Sequence, residues 1–234
     1  MKRFFTLLLI ILHFGTKAQD ANDILTKVVT KLNNVKDYTV TATVNANIPM
    51  IKILPSKATI YFKQKDKFKV VSKGIVILPK QGFSEINTLL ANQKSYLAVL
   101  GETSKVSDET TYLITIIPNG EQNDIVLAKL WIDTKRSVIM KSQITTKSNG
   151  SITSTYSYGD NVNFGLPSQM IFEIDIKAFK LPKSVAADIN KSSNVKKTKS
   201  SNKGKITISL TDYKVNKGLS DAIFTKNKEN GKSN

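Results

Sequence analysis

Tyr38-Thr39-Val40-Thr41-Ala42-Thr43-Val44-Asn45-Ala46-Asn47-Ile48 alternates apolar and polar residues along its whole length. Successive side chains of a strand point to opposite faces, so a sustained period of two predicts a long antiparallel strand with one apolar and one solvated face. A sheet built on this strand needs cover on one side only.

The pattern spreads outward from there. Ala58, Ile60 and Phe62 share a face, and beyond Lys65-Asp66-Lys67 the alternation resumes at Phe68 and Val70, which predicts a hairpin. Further strands are expected around Tyr96 to Leu100, Thr111 to Ile117, Val126 to Asp133, Val138 to Thr146 and Ile152 to Tyr158. Pro118-Asn119-Gly120 and Asn149-Gly150 supply turn chemistry between them. Ile171 to Phe179 and Lys205 to Val215 complete a meander of antiparallel neighbours.

Two segments break the period of two. Ile24, Leu25, Val28, Val29 and Leu32 fall on a helical stripe that Asp20 or Asn22 could cap, and Phe83, Ile86, Leu89 and Leu90 mark a second, shorter helix. The expected class is mainly β with two helices (α+β). If the sheet curls tightly around both helices, the core is closed. If the sheet outruns them, a concavity remains for an acyl chain or another apolar ligand. Periodicity leaves both outcomes open.

The first residues read as a cleavable export signal. Lys2 and Arg3 precede an apolar run from Phe4 to Phe14, and Thr16-Lys17-Ala18 forms a small-x-small site before Gln19. That run is about half of the roughly 20 residues that span a bilayer. Gln19 also stands where a lipoprotein would need cysteine. The expected organisation is a signal peptide over 1–18, cleaved after Ala18, a domain over 19–225 and a disordered tail over 226–234. Within the domain, 183–205 holds seven lysines against Asp188 alone, and is expected to be a mobile basic insertion. The expected location is the periplasm.

Cleavage would remove His13, the chain's one histidine, from a chain without cysteine. Disulfides, thiolate nucleophiles, Cys or His zinc sites and histidine bases are thereby excluded. Loss of Lys2, Arg3 and Lys17 takes the formal charge from +17 to +14. Arg136 is then the sole arginine, and the lysines lack interleaved stacking aromatics, so nucleic acid is not an expected partner. Diffuse lysine charge fits an anionic lipid surface or an acidic partner better.

No residues stand out as catalytic. Glu173 and Asp175, two apart in a strand, share the polar face with Lys177, as a solvated surface would. Asp108-Glu109 reads as a turn, and Trp131 and Tyr158 read as packing aromatics. There is no glycine-rich phosphate loop, nucleophile elbow or metal-ligand spacing. No enzyme, cofactor or metal is expected.

Several phrases occur in a telling order. These are Asn33-Asn34-Val35-Lys36-Asp37-Tyr38-Thr39-Val40, Tyr61-Phe62-Lys63-Gln64-Lys65-Asp66-Lys67-Phe68-Lys69-Val70 and Leu130-Trp131-Ile132-Asp133. Gly150 follows in the next turn, and the chain ends with Asp212-Tyr213-Lys214-Val215-Asn216 and Gly218-Leu219-Ser220-Asp221-Ala222-Ile223-Phe224. Together with the export signal they resemble the periplasmic lipoprotein carrier family, the LolA/LolB-like proteins, over nearly the whole mature chain.

The resemblance implies a strongly curved antiparallel sheet forming an incomplete β-barrel, with the N-terminal helix and a short lid helix in its open side. It implies a soluble, non-enzymatic carrier of lipoprotein acyl chains, or of another lipid, toward the outer membrane. An inner-membrane release complex and an outer-membrane acceptor would be its partners, and a monomer is expected. Tyr38, Val40, Val44, Ile60, Phe62, Phe68 and Val70 would line the cavity, with Phe83, Ile86, Leu89 and Leu90 on the lid. The family's carriers hold the lid with an arginine on an early strand, whereas Tyr38 to Val70 contains none. The same fold also serves envelope sensors or adaptors that bind a protein partner, which is the alternative reading.

Overall fold

A computed structural model of the protein describes residues 20–49, 53–65, 67–74, 76, 78, 85–120, 124–148, 150–175 and 203–225. The expected signal peptide, Phe83, nearly all of the basic insertion and the expected tail lie outside these residues.

Helix α1, Ala21–Asn33, starts at Asp20, whose carboxylate accepts a 3.3 Å hydrogen bond from the Asn22 N–H. That cap satisfies one of the free N–H groups of the first turn, while Lys31 places positive charge at the negative end of the helix dipole. Ile24, Leu25 and Val28 are fully buried. Burial of each contributes about 1.5–3 kcal/mol.

Ten antiparallel strands follow among the described residues: β1 Asp37–Asn47, β2 Ser56–Lys63, β3 Lys67–Ser72, β4 Tyr96–Val106, β5 Glu109–Pro118, β6 Ile125–Asp133, β7 Val138–Thr146, β8 Gly150–Ser157, β9 Gln169–Asp175 and β10 Lys203–Val215. Their spatial order is β3-β2-β1-β10-β9-β8-β7-β6-β5-β4, a single sheet whose edges are β3 and β4. The sheet does not close into a barrel. Helix α2, Glu85–Ala91, lies in the sequence between these two edge strands.

The alternation in β1 does what the sequence predicts. Val40, Ala42 and Val44 are buried while Thr39, Thr41 and Thr43 stay partly exposed. The inward residues of both sheet halves meet α1 and α2 in one core, which includes Ile60, Ile114, Ile116, Leu130, Ile206 and Ile208. Register shifts at Thr39/Thr41, Leu100/Thr103, Ile125/Leu127 and Trp131/Ile132 mark bulges, which bend and twist a sheet and so help it curl around its helices.

Three boundaries differ from the sequence reading. Strand β4 runs on to Val106 because Glu102 to Lys105 form an edge exposed on both faces, where no apolar alternation is required. The β4–β5 turn is Ser107-Asp108, both with positive φ (48° and 67°), as a two-residue hairpin demands. Glu109 is therefore the first residue of β5 rather than part of the turn. Strand β10 begins at Lys203, so the last three residues of the expected basic insertion belong to the sheet.

Candidate ligand cavity

The concave face narrows to a cavity beneath the C-terminal half of α1. Val28, Leu32 and Val35 form its roof, with Ile86 and Asn87 of α2 beside them, and its floor comes from Tyr38, Phe62, Tyr156, Met170, Leu210 and Tyr213. Its volume is about 100 Å³. One water needs roughly 10–15 Å³ on the same measure, so several waters or a short stretch of hydrocarbon would fit.

An aromatic cluster shapes one wall. Tyr38 and Phe62 are register partners on β1 and β2, and their rings stack with centroids 5.1 Å apart. Tyr213 meets Tyr38 edge-on at 5.7 Å. Such offset and edge geometries match positive ring edges to negative ring faces.

The phenol groups are held differently. Tyr158 donates to the Ile139 carbonyl at 2.8 Å and Tyr213 to the Pro167 carbonyl at 2.9 Å, while the Tyr156 and Ser142 hydroxyls share a 3.0 Å bond. Tyr38 has no hydroxyl partner among the described residues. Burial pushes all four phenols above their ordinary pKa, so they stay neutral. The wall is thus apolar and uncharged, with one phenol free to meet a ligand.

The surrounding scaffold fixes these side chains. Lys31, in the last turn of α1, donates to the carbonyls of Arg136 and Val162, tying the helix to the β6–β7 turn and to the 3-10 turn Asp160–Phe164. Gly165 ends that turn at φ 68°, and a Cβ there would meet Leu32 Cδ2 at 3.3 Å, so glycine suits both the backbone and the cavity roof.

In the β6–β7 turn, Asp133 accepts from the Lys135 and Arg136 N–H groups and from Arg136 Nε, and Arg136 also reaches Glu109 at 3.1 Å. Burial alone would raise the Asp133 pKa, but the side-chain and backbone hydrogen bonds from Arg136 hold it below the ordinary carboxylate value. Arg136 is thus committed to the β6–β7 turn.

The sequence-predicted cavity residues separate into groups. Tyr38, Phe62 and Ile86 line the cavity. Val40, Val44, Ile60, Leu89 and Leu90 lie buried in the core around it, and Val70 packs against that core. Phe68 shares the inward period of Phe62 but sits on edge strand β3, where it is 38% exposed. Sequence reasoning missed Leu32, Val35, Tyr156, Met170, Leu210 and Tyr213. Tyr156, Met170 and Leu210 carry the same alternation that marks ordinary core, Leu32 belongs to the helical stripe of α1, and Val35 lies outside the regular elements.

Tyr158, read as a packing aromatic, lines the cavity, whereas Trp131 is partly exposed beneath Lys141, whose Nζ stands 4.7 Å from the ring centroid. Glu173 is exposed on the outward face, as its alternation predicts.

Solved structures share this architecture. A putative outer membrane lipoprotein-sorting protein domain from Vibrio parahaemolyticus aligns with a TM-score of 0.60 at 9% identity, covering 88% of this chain and 97% of that one. A LolA superfamily protein from Nitrosomonas europaea aligns at 0.57 and 17% identity, covering 89% and 99%. The fold is that of the LolA superfamily. A DUF1329 family protein from Desulfovibrio piger shares this LolA-like fold at 0.58 and 13% identity, covering 88% and 95%. No protein-family model matches the chain, and no curated protein matches it in sequence. The LolA-like incomplete barrel, with helices in its open side, is the architecture expected from the sequence.

Proposed function

We propose that the protein is an exported, periplasmic carrier that takes up an acyl chain of a lipoprotein, or of a similar lipid, and delivers it toward the outer membrane without catalysing a reaction. The observation that carries this reading is a neutral, aromatic-walled cavity roofed partly by a separate seven-residue helix, α2, beside a sheet that stays open. The LolA-like fold is consistent with it.

A cavity of about 100 Å³ holds only a short stretch of hydrocarbon, so loading a full chain requires α2 to move. That lid rests on apolar contact: Ile86, Leu89 and Leu90 are its buried residues. Apolar contact is non-directional, which suits a lid that opens for hydrocarbon and recloses upon it.

The direct test is binding of a fluorescent fatty-acid probe, and of a lipoprotein released from membranes, to the purified mature protein. Leu32→Trp, which fills the roof from a partly exposed helix position, should abolish probe uptake while leaving the fold intact. If the wild-type protein takes up neither ligand, the carrier reading fails. Co-purification with a defined envelope protein would then favour the adaptor alternative.

A further inference from the structure

We propose that the outward face of strands β4, β5 and β6 docks onto an anionic phospholipid membrane. The register places Leu97 opposite Ile117, Val99 opposite Thr115 and Leu113 opposite Trp131. Their neighbours Ile114, Ile116 and Leu130 belong to the buried core and Ala98 packs against it, so this set looks away from it. Leu97 is 57% exposed, Val99 46%, Ile117 43% and the adjoining Val126 48%.

The rest of the outward face is different. On β1, β8 and β10 the corresponding positions carry Thr41, Thr43, Thr153, Thr155, Thr207 and Ser209. Val71 on β3, partner of Thr59 and 48% exposed, and Ile171 on β9, partner of Thr155 and Thr207, are single apolar residues on that face, whereas the β4–β6 set is contiguous. A contiguous apolar patch marks an interaction surface. It also runs to β4, a sheet edge, where charged residues normally discourage contact.

Charge selects the partner. Lys129 and Lys141 stand on the same outward rows, as register partners of Thr115 and Trp131. None of the outward register positions from Leu97 to Val99, Leu113 to Ile117, Leu127 to Trp131 and Lys141 to Thr145 carries a carboxylate. A second copy of the chain docking by two-fold symmetry would set this lysine-bearing, carboxylate-free face against itself, with no opposite charge to meet. A membrane instead offers hydrocarbon to the aliphatic residues and anionic head groups to the lysines, at the depth where tryptophan settles. The chain's formal charge, +17 in full and +14 without Lys2, Arg3 and Lys17, adds long-range attraction to such a surface.

Trp131 is the chain's only tryptophan, so its emission reports on this face alone. Phosphatidylcholine vesicles containing phosphatidylglycerol should shift that emission to the blue, brominated acyl chains should quench it, and the protein should float with the vesicles. Phosphatidylcholine alone and added salt should each weaken the effect. Lys129→Gln and Lys141→Gln should each lower vesicle affinity about fivefold. Leu97→Ser with Ile117→Ser, at exposed positions, should remove the blue shift while circular dichroism stays native.

The proposal is overturned if wild-type emission ignores phosphatidylglycerol vesicles, or if vesicle binding survives both sets of substitutions unchanged. A shift that appears only on self-association, or only with an added envelope protein, overturns it too. Acyl-probe uptake is measured without vesicles, so the cavity and the docking face can fail independently.

Discussion

Both carboxylate oxygens of Asp37 accept a hydrogen bond from the backbone N–H of Gly218, at 3.2 and 3.0 Å, across 181 residues of sequence. The Lys217 N–H adds a third at 2.9 Å, and Asn216 returns the contact by accepting from the Lys36 N–H at 2.7 Å and donating to the Asn34 carbonyl at 2.9 Å. The entrance to β1 and the exit from β10 are therefore clamped together beside Tyr38 and Tyr213. Asp37→Ala should cost about 1–3 kcal/mol in urea unfolding, since hydrogen bonds to a buried carboxylate are lost. It should also weaken acyl-probe binding, because both aromatic residues stand next to the clamp.

Of the four cavity phenols, Tyr156, Tyr158 and Tyr213 are held by hydrogen bonds, and Tyr38 has no partner among the described residues. Tyr158→Phe and Tyr213→Phe each strand a backbone carbonyl and should cost about 1–2 kcal/mol. Tyr38→Phe should leave thermal stability within about 0.5 kcal/mol, as its hydroxyl has no partner among the described residues. A drop in probe affinity on Tyr38→Phe would then report contact between that hydroxyl and the ligand.

Acid should loosen the C-terminal segment. Hydrogen bonds from Lys63 at 2.6 Å and Lys67 at 2.7 Å hold the Asp221 pKa down to about 2, from an ordinary 3.8. A carboxylate whose folded pKa is depressed stabilises the fold above its unfolded pKa and loses that contribution as pH falls through the folded one. The stability difference between wild type and Asp221→Asn should therefore be constant above about pH 5 and shrink toward zero near pH 2, which melting curves across that range would show.

The lid should open locally. Leu90 is 1% exposed, and Leu90→Ala should remove about 2–4 kcal/mol of packing from α2. Hydrogen exchange in α2 should accelerate by more than it does in β1 or β10, and probe association should become faster. Uniform acceleration across the chain would show instead that α2 unfolds only with the whole molecule.

The strands that could be read from sequence are those that must divide core from water. β1 shows this best, because Val40, Ala42 and Val44 face the core while threonines face solvent. The outer half of β4 was unreadable for the converse reason: Glu102 to Lys105 are exposed on both faces, so only hydrogen bonding makes them a strand. The cavity was half legible. Tyr38, Phe62 and Ile86 line it as expected from the inward period, yet Val40 and Ile60 share that period and are plain core. What separates them is distance along the strand from the end of α1, which no periodicity encodes. Tyr213 was visible only within a family-like phrase, and its role follows from β10 lying against β1.

That adjacency of β1 and β10 also governs timing. Thr39 pairs with Lys214 and Ala46 with Ile206, so the first long strand lacks one of its two neighbours until almost the whole chain is present. Pairings this distant in sequence form slowly, because loop closure must come before the contacts that reward it. A chain emerging N-terminus first cannot complete its sheet on the way, and its apolar strand faces stay uncovered until the last strand arrives. The β1–β10 seam is therefore the part of the sheet that must form late, however early its first strand is made.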